Sequence, residues 1–166
     1  PTARFMGGRE MDEIMGGRIV EPSPEDLRTV LEGRVMAMPS LHPDTGPFPG
    51  KRFGWIGGEP EGGARMAAAS FYAALMGAEC LSLAGAEGPV IVEGAFGGNL
   101  AFLRMLATAT GRVVKGSGQG AGTGLGAALL AGPLLAKAAA ALEVLPERDA
   151  AWTGYVHAWR EAVGRW

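Results

Sequence analysis

The chain has 166 residues, of which 48% are hydrophobic and 19% charged, with a mean hydropathy of +0.14; this is enough apolar material for one core and too much for a disordered tail. A formal net charge of −2 gives no basic excess, so no nucleic-acid partner is expected. The single cysteine, Cys80, excludes an internal disulfide, and His42 and His157 stand too far apart in the chain to suggest a histidine metal site.

The apolar stretches read as interrupted by Gly, Arg or Glu before the 18 residues that a membrane span needs, and no signal peptide is visible. No membrane partner is therefore expected, and the cytoplasm is the expected location. The chain opens on Pro1; loss of an initiator methionine ahead of proline and excision from a longer chain would each account for that. Glycine stands at 28 and proline at 11, spread through apolar sequence, and this describes a turn-rich α/β domain.

In chain order, Arg4 to Glu10 reads as a short apolar entry into a Gly7-Gly8 turn, with a second turn at Gly16-Gly17. Ser23-Pro24-Glu25-Asp26 predicts a helix start: a serine N-cap, proline at the first helical position and acids at the positive dipole end. Leu27, Val30 and Leu31 make its apolar stripe, and Gly33 is expected to end it. Residues 39–63 read as loop, a short strand around Phe53-Gly54-Trp55-Ile56, and loop again. Ala64 to Leu83 is the clearest long helix, apolar on most sides and so expected inside the core.

Val90-Ile91-Val92, bounded by Gly88-Pro89 and Gly94, predicts a buried strand. A glycine turn leads from it into a helix over Leu100 to Thr110, which Gly111 closes. Arg112 to Lys115 is a second short strand, Gly116 to Gly122 a glycine loop, and Thr123 to Leu142 a small-residue helix. Strand–helix–strand order implies a parallel pair. A last helix spans Glu147 to Val163, with Trp152, Tyr155, Val156 and Trp159 at helical spacing.

Two stretches are candidates for chemistry. In the turn Glu93 to Asn99, glycines at 94, 97 and 98 let backbone approach a flat or charged ligand, and Asn99 either caps the next helix or faces the ligand. The second, Gly122-x-Gly124-x-x-Ala127, matches a relaxed dinucleotide fingerprint, with Glu143 about 20 residues on, where that fold keeps its ribose acid. That alternative, a Rossmann-type module, requires a parallel strand near Leu142–Leu145 ending at the acid. His42 reads either as a base or as a surface loop residue, and Cys80 as inert core. No nucleophile–base–orienter set is visible.

The run from Val90 through Glu93-Gly94-Ala95-Phe96-Gly97-Gly98-Asn99 to Leu103, then Thr110-Gly111-Arg112-Val113-Val114 and Thr123 to Gly132, resembles the C-terminal domain of the FGGY carbohydrate kinases. Ala67 to Leu83 looks like that family's long core helix, and Tyr155-x-x-x-Trp159 like its C-terminal helix. The resemblance implies an α/β fold of the actin/hexokinase-like (ribonuclease H-like) ATPase type, as an incomplete C-terminal half of a two-domain sugar kinase. It also implies ATP and Mg2+ as cofactors, held mainly by parts of the enzyme outside this chain, and a sugar or polyol substrate bound through the N-terminal domain. This chain alone is then expected to be inactive, and a homodimer is left open. Carried over by residue, Gly94 and Ala95 match the Gly-Gly that lies against adenine, Asn99 matches the asparagine nearby, and Gly8 corresponds to a glycine near the phosphates. Glu93 stands where the family has Asp, Ala95 where it has a second Gly, and Thr108 near a usual Asp; Leu81-Ser82-Leu83 and Glu93-Gly94-Ala95-Phe96 lean toward a fuculose-kinase-like branch. A non-catalytic domain of a degenerate kinase is the remaining alternative.

Overall fold

The computed structural model describes residues 2–117, 130 and 141–166. The first element is helix α1 (Gly7–Met15), where a glycine turn was expected. Glycine is a poor helix former, but Glu10, Ile14 and Met15 bury one side of α1 against the long core helix, and that packing overrides local preference. The Gly16-Gly17 turn forms as expected, with φ of +59° and +74°.

Helix α2 (Pro24–Gly33) begins on a full capping box. The Ser23 hydroxyl accepts from the Asp26 amide, and the Asp26 carboxylate accepts from the Ser23 amide. It ends at Gly33 as expected, and the residue after it, Arg34 rather than a glycine, takes the left-handed region at φ +47°. Strand β1 (Met36–Met38), which has no β-branched residue, pairs antiparallel with β2 (Gly54–Ile56). The carbonyls of Val35 and Ala37 are taken by a helix instead of a third strand: Tyr155 Oη donates to Val35 at 2.8 Å and Trp159 Nε1 to Ala37 at 2.9 Å.

Helix α3 (Gly62–Leu83) is the centre of the molecule. Every residue from Ala67 to Met76 is buried, so no polar stripe is left. At 22 residues it is long and apolar enough to cross a membrane, contrary to the reading of interrupted stretches; 67% of its most apolar window is nevertheless buried in the fold. It packs chiefly on α4 (Leu100–Thr110) and on α1 and α2. Phe71 meets the rings of Trp152 and Tyr155 edge-on at 5.2 and 5.3 Å. Burial of each large apolar side chain here contributes about 1.5–3 kcal/mol.

A three-stranded sheet carries β3 (Val90–Val92), β4 (Val114–Gly116) and β5 (Leu142–Val144) in that order. β3 and β4 are parallel, as expected, with α4 as the crossover; β5 is antiparallel to β4. The β3 triplet is not buried throughout, because alternation sends Ile91 (69% exposed) to the face that carries Lys115 and Glu143. Of the expected helix over Thr123 to Leu142, the described residues include Leu130, which is helical and exposed, and the last two members, of which Leu142 already belongs to β5; the rest lies outside the described residues. Helix α5 (Ala150–Arg165) closes the domain, capped by Asp149. Arg160 ties it to Glu79 of α3 and to the Ala109 carbonyl of α4.

Candidate functional site

The chain leaves β3 through Glu93 in extended conformation, and Gly94 then takes φ +75°, open to glycine at little cost. A 3-10 turn over Gly94–Gly98 follows, and Asn99 starts α4. The Asn99 side chain does the capping rather than facing outward: Oδ1 accepts from the Phe102 amide at 3.0 Å, and Nδ2 donates to the buried Ser70 hydroxyl at 2.9 Å. One side-chain amide therefore orders the turn and ties it to α3.

The three glycines of this turn divide their work. A Cβ on Gly97 would stand 2.2 Å from the Ser117 carbonyl oxygen, and one on Gly116 would stand 2.3 Å from the Gly97 oxygen. Gly97 thus faces β4, a correction to its reading as a ligand-facing residue. Gly94 and Gly98 have open space at their Cβ positions. Together with Ala95 they line a hollow of about 530 Å³.

The opposite wall comes from the start of the chain, with Gly8, Met11 and Asp12 of α1 and Ile19, Glu21 and Pro22 of the following loop. Met66 of α3 also lines the hollow, and Phe96 adds an aromatic surface, its ring 4.6 Å from that of Phe102. Gly8, Gly94, Ala95 and Asn99, far apart in sequence, all border this one hollow. The carboxylates of Asp12 and Glu21 also border it; neither was singled out for binding from sequence, because the signal for α1 was hidden behind its glycines.

Beneath α1, Glu10 is fully buried and accepts a hydrogen bond from the Tyr72 hydroxyl of α3. Burial first, and the Glu10 carboxylate second, push the Tyr72 hydroxyl far above its ordinary range, so it stays protonated as the donor. At the far end of α1, Arg65 Nε donates to the Ile14 carbonyl at 2.6 Å.

The other sequence candidates fall elsewhere. His42 Nε2 lies 3.1 Å from Glu13 Oε1, away from the residues lining the hollow. Cys80 is buried, and burial pushes its thiol up and away from reactivity. The Gly122 to Ala127 fingerprint lies outside the described residues. Its acid Glu143 sits within an antiparallel strand and pairs with Lys115 at 3.2 Å. The parallel strand that a dinucleotide module needs is not what β5 supplies, so that alternative is rejected. Among the described residues, no three His, Cys, Asp or Glu side chains converge as a metal site.

Comparison with known proteins agrees with this architecture. A sequence model described as the C-terminal domain of carbohydrate kinase FGGY matches residues 1–141. Among curated proteins none matches. Of solved structures, a carbohydrate kinase from Novosphingobium aromaticivorans superimposes with a TM-score of 0.80 at 33% sequence identity, over 98% of this chain. The chain spans 37% of that neighbour. Its layers, its parallel β3–β4 crossover and its long central helix are those of the actin/hexokinase-like ATPase fold, and the chain belongs to the FGGY carbohydrate kinases as their C-terminal domain.

Proposed function

We propose that the intact protein transfers a phosphoryl group from ATP to a hydroxyl of a sugar or polyol, and that this domain supplies the nucleoside side of the cleft. The observation that carries the reading is the convergence of Gly8, Gly94, Ala95 and Asn99 on one hollow, with bare backbone at Gly94 and Gly98. A flat base fits against exposed peptide planes where no Cβ intervenes. Phe96 and Met66 offer it apolar surface, and the Asp12 and Glu21 carboxylates are acceptors suited to ribose hydroxyls or an exocyclic amine.

The phosphate chain is assigned to the Gly8 side of the hollow, the position that the family resemblance matches to a glycine near the phosphates. There the first turn of α1 has unpaired amides and the positive end of the helix dipole. The residues present therefore fit a nucleoside, and they leave magnesium and the base that activates the acceptor hydroxyl to the rest of the enzyme. When bound, magnesium neutralises charge developing on the transferred phosphoryl group. The contribution of this domain is to hold and orient the nucleoside half of the donor and to keep water from its buried face. The cytoplasm, with its ATP supply, is the proposed location.

The test is calorimetry of the full-length protein with ADP, paired with Gly98→Val. The added side chain projects into the hollow and touches nothing within 4 Å at its Cβ. Its folding should be unchanged, and its ADP affinity should drop by about tenfold or more. Equal affinity in both proteins would remove the hollow from the nucleotide site. A full-length protein that binds ADP yet phosphorylates no member of a sugar and polyol panel would be the degenerate kinase.

A further inference from the structure

Glu10 is 0% exposed, and only one of its carboxylate oxygens is used. Tyr72 donates to Oε2, whereas Oε1 is buried with no hydrogen-bond partner among the described residues. A carboxyl group held in this way is a poor source of stability, since apolar replacements of buried ionic or polar pairs are often neutral or stabilising. What such a pair does supply is direction: one hydrogen bond fixes the rotation and height of a helix that greasy contacts leave free to slide.

Helix α1 needs that direction. It opens with two glycines, its N-cap residue Met6 makes no side-chain cap, and it has only 9 residues. Two side-chain ties join it to α3. The Arg65 bond to Ile14 sits at the C-terminal end of α1, and the Glu10–Tyr72 bond sits within one turn of Gly8, Met11 and Asp12, which line the hollow.

We propose that Glu10 and Tyr72 are a positioning pair that sets the α1 wall of the hollow, and so the affinity for the nucleoside. This rests on the reading of the hollow as the nucleotide site. Neither residue lines the hollow; both act through α1.

The experiment uses the full-length protein with the double variant Glu10→Met/Tyr72→Phe, the single variants Glu10→Met and Tyr72→Phe, and Glu10→Gln, and measures the ADP dissociation constant, the KM for the acceptor sugar, and the melting temperature. The double variant, which replaces both partners by apolar groups, is expected to keep or raise the melting temperature while weakening ADP about tenfold and leaving the sugar KM within twofold; Glu10→Met alone leaves the buried Tyr72 hydroxyl without its acceptor and should melt lower with the same loss of ADP affinity. Tyr72→Phe should weaken ADP to the same degree. Glu10→Gln keeps an oxygen to accept from Tyr72 and should bind ADP within about threefold of wild type. If Glu10→Met or Tyr72→Phe folds and binds ADP as wild type does, the proposal is overturned. It is also overturned if affinity for both substrates and melting temperature fall together, because that is the signature of a merely structural pair. Loss of ADP binding in Gly98→Val, beside intact binding in the Glu10 and Tyr72 variants, would overturn this inference and leave the nucleotide site standing. Wild-type protein that binds no ADP would overturn both.

Discussion

One wall of the hollow is backbone laid on backbone: the Gly94–Gly98 turn rests on β4 through Gly97 and Gly116 and is held by the two-way Asn99 bond. The facing wall is a short helix without a side-chain cap, fastened to α3 by side chains. The first wall has almost no room for adjustment, since close peptide contacts admit no extra carbon. The second is held by the burial of Ile14 and Met15, by two hydrogen bonds to α3 and by the contact of Glu13 with His42, all of them side-chain contacts that can adjust. A cleft that must admit and release a ligand needs both kinds of wall, one to define the shape and one to give way.

The contrast can be broken from either side. The largest effect is expected from Gly97→Ala, whose methyl group would stand 2.2 Å from the Ser117 carbonyl oxygen; denaturant unfolding should show a loss of about 3 kcal/mol. Asn99→Ala removes a helix cap and leaves the buried Ser70 hydroxyl without its partner, costing about 2 kcal/mol by the same measurement. If either variant is as stable as wild type, the turn is not the stiff wall described.

Acid sharpens the comparison at the helical side. Side-chain and backbone bonds from Ser23 hold the Asp26 carboxyl below its ordinary range, helped by the Ala64 amide at the start of α3. A depressed folded-state value stabilises the fold at neutral pH, above the ordinary carboxyl range, and that stabilisation is lost as pH falls through the lower folded-state value. Asp26→Asn should flatten that acid limb of a stability–pH curve; an unchanged limb would count against the cap. The smallest effect is expected from Arg34→Gly. Relief of a left-handed residue at φ +47° should raise stability by about 0.5–1 kcal/mol in thermal or denaturant unfolding.

What could be read from sequence was what one segment decides for itself. Ser23 to Asp26 and Asn99 to Gly111 carry their own start and stop signals, and the structure places both helices where those signals are. The crossover from β3 to β4 follows from strand–helix–strand order. The direction of β5 was not legible, because antiparallel return depends on a partner and not on Leu142 to Val144. Strand β1 was missed for the same reason: Met36-Ala37-Met38 has no strand propensity, and β2 and the α5 donors make it one. At the hollow, Gly94 and Asn99 stood out as a turn and a cap, but nothing local marks Glu10 as buried, because its partner Tyr72 lies 62 residues away in the chain.

The hydroxyl of Tyr155 and the indole of Trp159 have a consequence beyond stability. A two-stranded ribbon normally offers its outer carbonyls to any extended peptide that drifts past. Here two of those carbonyls already have intramolecular donors on α5. The β1 edge of the ribbon is closed to recruitment once the last helix docks, so Trp159→Phe, which removes the indole N–H facing Ala37, would expose that edge to association before it disturbed the hollow.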